Sequence, residues 1–255
     1  SLTDSQVKQF YQSLLVPENI VISVIGPYDQ TDIRNKLQSV LTSIKPKLTV
    51  LDSSPSTQVQ SSLSDGAQQA KSLHHARLKQ SVSVVMVGVE IPGYQVEKHD
   101  TQLYMVDAIL SGIRYPSGRL HSKLRGDQKG LVYEVHAFPI RFEDKGLFLI
   151  YALTNKETVA QVQQLIQTEL TSISKGEITK DEFLRGKEQV LFNFERQKDT
   201  LHEVSQKLSL DLLMRQKWHQ FSVQEKRLHS LSYKQFIQFS KTVFNTPTWV
   251  LFNAK

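Results

Sequence analysis

The chain has 255 residues, of which 39% are hydrophobic and 22% are charged, as in an ordinary globular protein. It has no cysteine, which excludes disulfides and thiolate chemistry, and no apolar run of the roughly 18 residues that a transmembrane helix needs. The formal charge of +6 is interleaved with acidic residues, as in Lys180-Asp181-Glu182, whereas a nucleic-acid binder concentrates its basic residues in a patch. We therefore expect neither a nucleic-acid nor a membrane partner.

The first block of the chain, residues 1–44, combines helices with a strand. Thr3 or Asp4 caps a predicted helix that carries apolar residues at i, i+3, i+4 and i+7. The continuous apolar run at Asn19–Gly26 predicts a buried strand. Apolar periodicity over Thr31–Val40 predicts a second helix.

A polar segment, residues 45–75, follows and separates this block from the main body, residues 76–255. It is rich in Ser, Gln, Asp and Pro, which is the composition of a linker. In the main body, the predicted strands are Arg77–Glu90, Leu131–Phe138, Gly146–Leu153 and Thr248–Phe252. A turn over Arg141–Lys145 is expected to join the second and third of these into a hairpin. The predicted helices are Asp100–Leu110, Thr154 to about Ser172, Thr179 to about Lys198, one that includes Leu208–Leu213, and Tyr233–Phe244. Glu182 stands at the capping-box position of the helix that Thr179 caps. The pattern of Gln216–His229 is ambiguous.

Two stretches, Leu2–Gly26 and Leu231–Ala254, repeat one pattern: a capped helix, a proline and a buried strand. The equivalent pairs are Val7 with Phe236, Phe10 with Phe239, Leu14 with Val243, and Pro17 with Pro247. Similarity at a long period is typical of duplicated domains, and a chance likeness is the alternative. A duplication predicts that residues 1–44 are the tail of a preceding homologous domain and that residues 76–255 form a whole domain.

The segment Ser117–Phe138 carries the polar pair best placed for chemistry. A short helical piece ends at Arg125, a turn-prone run Gly126–Gly130 follows, and a strand then carries Tyr133. The two side chains flank one turn, where a guanidinium can donate to peptide carbonyls and a phenol to a developing oxyanion. The alternative is structural: Arg125 opposes the dipole at a helix C-terminus, and Tyr133 is an amphipathic strand residue.

The sequence contains no complete catalytic centre of its own. H-E-x-x-H, H-x-x-E-H, G-x-S-x-G and the phosphate-binding G-x-x-x-x-G-K-[ST] are all absent. Surface positions are expected for all eight histidines, which are His74, His75, His99, His121, His136, His202, His219 and His229. We therefore expect no zinc ion and no other cofactor in this chain, and Arg125 and Tyr133 cannot activate water unaided.

The run S-G-R-L-H-S-K-L-R-G-D-Q-K-G-L-V-Y-E-V, residues 117–135, carries a family resemblance. It resembles the S-R-L, L-R-E and G-L-x-Y run in the non-catalytic domain of the pitrilysin/insulinase/mitochondrial-processing-peptidase family of zinc metallopeptidases. The predicted strand and helix before it, the helix that begins at Thr179 and both helix–proline–strand motifs fit the same likeness. The resemblance covers nearly the whole chain, and its specific part is residues 117–135.

This resemblance implies an α+β fold with a mixed, mainly antiparallel sheet covered by helices on one face. It also implies a partner, a homologous zinc-bearing domain or subunit with the H-x-x-E-H motif, that pairs with this chain around a peptide substrate. Arg125 would then contact a substrate carbonyl, and Tyr133 would stabilise the tetrahedral intermediate. The chain would be the substrate-binding, non-catalytic half of a zinc metallopeptidase, with zinc in the partner and no peptidase activity alone.

One departure from the family concerns spacing. The interval from Arg125 to Tyr133 is one residue longer than the usual family spacing. The turn Gly126–Gly130 must absorb the extra residue, and Lys129 becomes an alternative cation. A degenerate structural or assembly domain of the same fold, with no peptidase role, is the alternative function. By the same resemblance, the compartment is the bacterial periplasm or the cytoplasm.

Overall fold

A computed structural model of the protein describes residues 3–16, 19–42, 73–78, 82–94, 96, 99–113, 115–126, 130–215, 221–245 and 247–254. Its helices are α1 (Asp4–Leu14), α2 (Gln30–Leu41), α3 (Asp100–Leu110), α4 (Gly118–Leu124), α5 (Val159–Lys175), α6 (Lys180–Arg196), α7 (Leu201–Arg215), α8 (Phe221–Ser230) and α9 (Tyr233–Val243). Its strands are β1 (Leu73–Leu78), β2 (Ser83–Pro92), β3 (Val132–Arg141), β4 (Lys145–Thr154) and β5 (Pro247–Ala254). None of the helices in this described part is long and apolar enough to cross a bilayer.

These elements fall into two units. The first unit comprises Ser1–Gln68 and Asp199–Trp218, and it contains α1, α2 and α7. The second unit comprises Gln69–Lys198 and His219–Lys255, and it contains the five strands and the other helices. The first unit thus includes α7, which lies within the main body predicted from the sequence. The predicted domain boundaries themselves stay a prediction.

The second unit is built on a five-stranded sheet with the strand order β1-β5-β2-β4-β3. β1 pairs with β5 in parallel, and the three other pairings are antiparallel. β3 and β4 form the predicted hairpin, joined by residues 142–144. This mixed, mainly antiparallel sheet with its helices confirms the predicted α+β fold.

The core of the second unit lies between the sheet and the helices that cover it. Alternate side chains of β2 and β4 are buried, as the two-residue period of a strand dictates. Val85, Val87 and Phe148 on this face have almost no exposed surface. Helices α3, α5 and α9 contact the sheet, and buried residues such as Ile166 and Phe236 extend the core into them. The side chains between the buried strand positions are half-buried or exposed.

The first unit has apolar helix faces that are exposed. α1 begins with a capping box, in which Thr3 Oγ1 accepts from the Gln6 N–H at 3.3 Å and Gln6 Oε1 accepts from the Thr3 N–H at 2.9 Å. Neither α1 nor α2 contains a buried residue. The extended segment between them is bonded to α7, because Ser205 Oγ donates to Ser23 O at 3.0 Å.

Several predicted elements need correction. The strand predicted at Asn19–Gly26 is wrong, since its described residues form no strand. An extended segment becomes a strand only when another strand pairs with it. The predicted strand Arg77–Glu90 covers the end of one observed strand and most of the next, β1 and β2. Residues 45–72 of the predicted linker lie outside the described residues.

The helix predicted to begin at Thr154 begins instead at Val159. Thr154 is the last residue of β4, and a 3₁₀ turn, Lys156–Thr158, comes before the helix. Helix α8 forms within the stretch whose pattern was ambiguous, and α3 has the predicted bounds.

Candidate functional site

Helix α4, which precedes the predicted site, is fixed by two leucines and an arginine. Leu120 and Leu124 lie one turn apart and are fully buried. Arg119 donates from Nε to Glu182 Oε1 at 2.6 Å and from Nη2 to Glu182 Oε2 at 2.9 Å. A two-pronged pair of this kind fixes both position and angle. It fastens α4 to the first turn of α6.

The Glu182 carboxylate takes part in two interactions, the pair with Arg119 and the cap of α6. Its Oε2 accepts from the Thr179 N–H at 2.9 Å, while Thr179 Oγ1 accepts from the Glu182 N–H at 3.1 Å, which confirms the capping box of α6. The hydrogen bond from Arg119 is the main reason that the pKa of Glu182 is lowered from 4.5 to about 2. Arg119 also donates to Glu177 O at 2.7 Å and to Ser172 Oγ at 3.0 Å. The start of α4 therefore has little freedom to move.

Arg125 follows α4 directly, and its side chain is exposed. Its backbone N–H donates to His121 O at 2.9 Å, which ends the helix. Within the described part of the chain, its guanidinium forms no hydrogen bond or ion pair. The Leu131 N–H donates to Leu124 O at 2.9 Å and so closes the turn that follows. Arg125 and Tyr133 therefore leave the backbone on either side of one closed turn.

Tyr133 lies at an irregularity of β3. Val132 pairs with Thr154, but Glu134 pairs with Leu153, so Tyr133 is an extra residue on its strand, a β-bulge. The Tyr133 side chain is 58% exposed. A bulge bends its strand and changes the direction of the side chain that it carries. The register therefore sets the direction of this phenol.

The Tyr133 hydroxyl donates to Asn155 Oδ1 at 2.6 Å. Asn155 follows β4 directly and is the N-cap of the 3₁₀ turn, yet its side chain makes no capping hydrogen bond. The backbone just before β3 is held as well, since Thr154 Oγ1 donates to Leu131 O at 2.5 Å. Both the phenol and the backbone before it are thus fixed by the end of β4.

A polar cluster of four side chains adjoins the predicted pair, and it consists of His121, Glu134, His136 and Tyr151. His136 Nε2 lies 2.8 Å from Glu134 Oε1, and the Tyr151 hydroxyl donates to the same oxygen at 3.0 Å. The ring of His136 lies 5.4 Å from that of Tyr151 and 6.3 Å from that of His121. The cluster therefore connects α4 with β3 and β4.

Burial perturbs two members of the polar cluster. It lowers the pKa of His121 below the usual 6.5, and the charges of His136 and Arg125 lower it further. It also raises the pKa of Tyr151 above the usual 10.0, with a further contribution from Glu134. His121 and Tyr151 are therefore held neutral near pH 7.

His121 corrects the expectation that all eight histidines are at the surface. It is 8% exposed, and its Nδ1 is buried without a hydrogen-bond partner among the described residues. It follows the buried Leu120 on a helix that packs against α3, α5 and β3. A short helix with neighbours on several sides leaves few positions exposed.

The assignment of Arg125 and Tyr133 as site residues stays a prediction, and the sequence reasoning did not single out the polar cluster or Asn155. Two signals were present in the sequence. His121 and Arg125 are four residues apart on one helix, and Glu134 lies two residues from a histidine on one strand. No sequence signal marks Asn155, because its contact with Tyr133 joins residues 22 positions apart. Lys129, the alternative cation, lies outside the described residues.

No group of three or more His, Cys, Asp or Glu in the described ranges can hold a metal ion. The polar cluster therefore does not fit the zinc of the metallopeptidase family, and the resemblance assigns that zinc to the partner.

A family model described as the peptidase M16 inactive domain matches residues 1–190. The chain belongs to this family. The match confirms the predicted resemblance to the non-catalytic domain of zinc metallopeptidases. A curated relative of this M16 inactive domain, the uncharacterized zinc protease YmxG of Bacillus subtilis (strain 168), is 33% identical over 88 residues. That match covers 34% of this chain and 21% of the relative.

Solved structures show the same fold. A protease from Helicobacter pylori has a TM-score of 0.72 at 16% identity, with 99% of this chain and 60% of that chain covered. A peptidase M16 inactive domain from Pseudomonas fluorescens has a TM-score of 0.70 at 17% identity, with 100% of this chain and 58% of that chain covered. Identities this low establish the fold alone. The chain spans about three fifths of the length of these two proteins.

Proposed function

We propose that this M16 inactive domain is the substrate-binding, non-catalytic half of a zinc metallopeptidase. It completes a peptide-hydrolysing site together with a homologous zinc-bearing domain or subunit. Family membership supports the non-catalytic role, and M16 proteins pair with a homologous domain or subunit. The observation that carries the proposal is the closed turn between Leu124 and Leu131, with the exposed side chains of Arg125 and Tyr133 on either side of it.

The roles of the two residues follow from their chemistry. Arg125 donates to a carbonyl of the bound peptide, and its guanidinium is not engaged by any described residue. Tyr133 donates its hydroxyl proton to the oxyanion of the tetrahedral intermediate. A well-placed donor of this kind is worth roughly 10²–10³ in kcat. Neither residue is a base, so the chain alone does not hydrolyse peptides.

The longer interval between Arg125 and Tyr133 is compatible with this role. The extra residue was expected in the turn Gly126–Gly130, of which residues 127–129 lie outside the described part. The β-bulge at Tyr133 accommodates one additional residue in β3 itself. In this proposal the bulge corrects the direction of the phenol.

Residues 1–44 are, in this proposal, the tail of a preceding homologous domain, and residues 45–75 are the linker that follows it. The repeated helix–proline–strand pattern supports this division. Two further observations support it. The apolar residues of α1 are exposed, and the apolar segment after α1 pairs with no described strand.

The test combines this chain with a homologous M16 domain that carries the H-x-x-E-H motif and follows cleavage of a quenched fluorogenic peptide. We expect the mixture to cleave and this chain alone to be inactive. Tyr133→Phe should lower kcat by roughly 10²-fold, and Arg125→Ala should mainly raise KM. Tyr115→Phe and Arg185→Ala, both at exposed positions, are the matched controls. Equal cleavage by the Arg125→Ala/Tyr133→Phe double variant would refute the site assignment.

The alternative function is a structural or assembly domain without a peptidase role. The departure in spacing between Arg125 and Tyr133 favours it, because a misdirected phenol stabilises no oxyanion. The same experiment separates the two functions. A stable complex with the zinc-bearing domain whose cleavage rate does not depend on Tyr133 would establish the assembly role.

A further inference from the structure

In the hydrogen bond between Tyr133 and Asn155, the phenol is the donor. A phenol has a single hydrogen to donate, and that of Tyr133 goes to Asn155 Oδ1 at 2.6 Å. While this bond is present, the hydroxyl proton is not available to an oxyanion. The phenol must therefore exchange its acceptor before it can act in the proposed site.

The position of Asn155 indicates that this contact is more than a chance surface bond. Asparagine at an N-cap usually accepts a hydrogen bond from a backbone N–H of the following turn. The backbone of Asn155 has the extended conformation of an N-cap, with φ −79° and ψ 156°, but the side chain makes no such bond. Its carbonyl oxygen is instead directed to the Tyr133 hydroxyl, across the hairpin.

The backbones on both sides of this bond are held in place. Leu131 is bonded through its N–H to Leu124 O at 2.9 Å and through its carbonyl to Thr154 Oγ1 at 2.5 Å. The Thr158 N–H donates to Asn155 O at 3.1 Å. Two anchored backbones leave the side-chain torsions as the main freedom at this contact.

The Asn155 amide carries an acceptor, Oδ1, and a donor, Nδ2, on the same carbon atom, so either can face the Tyr133 hydroxyl. A half-turn about its last torsion exchanges Oδ1 for Nδ2 with little movement of the carbon atoms. Nδ2 then donates to the phenolic oxygen, and the hydroxyl proton becomes free to point elsewhere. Glu134, the residue next to Tyr133, cannot make this exchange, because an ionised carboxylate only accepts hydrogen bonds.

We propose that Asn155 is a positioning residue for Tyr133. In the free domain its Oδ1 accepts the hydroxyl proton and keeps the phenol in an inactive orientation. When peptide is bound, the amide turns over, Nδ2 donates to the phenolic oxygen, and the hydroxyl donates to the oxyanion. This inference rests on the proposed function of Tyr133 and adds the group that directs it.

The test compares two variants of Asn155 in the peptide-cleaving mixture. Asn155→Asp keeps the size and the acceptor but has no donor, so it should hold the phenol in the inactive orientation. It should lower kcat about tenfold to a hundredfold with KM unchanged, close to the effect of Tyr133→Phe. Asn155→Ala removes both groups and should lower kcat less than Asn155→Asp does. Gln161→Glu adds the same charge at an exposed position of α5 and should leave kcat unchanged.

A spectroscopic comparison on this chain alone tests the hydrogen bond directly. Carbon-13 labelling of tyrosine Cζ, with Tyr133→Phe to assign the signal, reports whether the phenol donates. Asn155→Asp and Asn155→Ala should move the Tyr133 signal in opposite directions, because one strengthens the acceptor and the other removes it. Gln161→Glu should not move it.

The outcomes separate this inference from the function on which it rests. Failure of the wild-type mixture to cleave any peptide would overturn the proposed function. Cleavage that responds to Tyr133→Phe, but equally weakly to Asn155→Asp and Asn155→Ala, would overturn the role of Asn155 alone. A Tyr133 signal that neither variant moves would likewise overturn it.

Discussion

Two regions with the same sequence pattern, α1 with the segment after it and α9 with β5, differ in their surroundings. Both helices begin with a capping box that a glutamine completes. Phe10 and Phe239 occupy matching positions in the predicted repeat, yet Phe10 is 64% exposed and Phe239 is 5% exposed. The two helices therefore begin in the same way, but their apolar faces differ in burial.

The cause of this difference lies in the strands. β5 pairs with both β1 and β2, so α9 packs against a formed sheet. Residues 20–25 pair with no described strand. A sequence pattern determines that a helix has an apolar face, but only a partner surface determines whether that face is buried. The contrast is what we expect if residues 1–44 complete another homologous domain.

The largest expected difference between the two regions is in side-chain truncation. Phe239→Ala should lower the free energy of unfolding by about 3–5 kcal/mol, because it removes a buried ring and leaves a cavity. Its matched control, Phe10→Ala, should change that free energy by less than about 0.5 kcal/mol. Urea denaturation followed by circular dichroism measures both. Equal losses of unfolding free energy in the two variants would mean that α1 is packed in solution, and they would contradict the difference in burial between Phe10 and Phe239.

Breaking an ion pair should likewise cost more unfolding free energy in the second unit than in the first. Arg119→Ala breaks a largely buried two-pronged pair and should cost about 2–3 kcal/mol of unfolding free energy. Lys36→Ala breaks the exposed Lys36–Asp32 pair of α2, at 2.7 Å, and should cost less than about 0.5 kcal/mol. Arg119→Lys, which keeps the charge but loses the fork, should lie between them. A neutral Arg119→Ala variant would contradict the anchoring of α4.

A smaller effect should appear in acid, and it should come from Glu182 in the second unit. The pKa of Glu182 is about 2 in the folded chain against 4.5 unfolded, so the unfolded state binds more protons between these values. The stabilisation of the folded state by ionised Glu182 is fully present above pH 4.5 and is lost as the pH falls towards 2. It should amount to about 1–2 kcal/mol after solvent screening. Glu182→Gln should remove this pH dependence, and Asp32→Asn in α2 should not.

The smallest expected effect concerns His121. Because burial, His136 and Arg125 lower its pKa below 6.5, the unfolded state binds more protons just below that pH. The contribution of His121 to the free energy of unfolding should therefore be fully present above about pH 6.5 and should be lost as the pH falls below that value. Urea denaturation at pH 7.5 and 5.5 should show this loss in the wild type. His121→Gln should abolish it, whereas the exposed His202→Gln of α7 should retain it.

Much of the fold was predictable because its signals are local. The bounds of α3 and the capping box at Thr179 depend on residues within one or two turns, and both are confirmed. The hairpin of β3 and β4 follows from alternation and a short connection. Pairing over long distances is different, since the apolar run at Asn19–Gly26 has no partner strand in the described chain.

The candidate site was predictable only in part, for a related reason. Arg125 and Tyr133 are close in sequence and lie on either side of one turn. The bulge at Tyr133 arises from the register between β3 and β4, and the Asn155 contact joins residues 22 positions apart. The burial of His121 results from packing against three other elements. None of these features has a local sequence signature.

The pairing of Arg119 with Glu182 has a kinetic consequence for the site. The two residues are 63 positions apart, and a seven-residue helix is too short to persist alone. We therefore expect helix α4, and Arg125 with it, to become ordered late in folding, after α6 and its cap have formed. Arg119→Ala should then speed unfolding and leave the folding rate nearly unchanged in stopped-flow measurements.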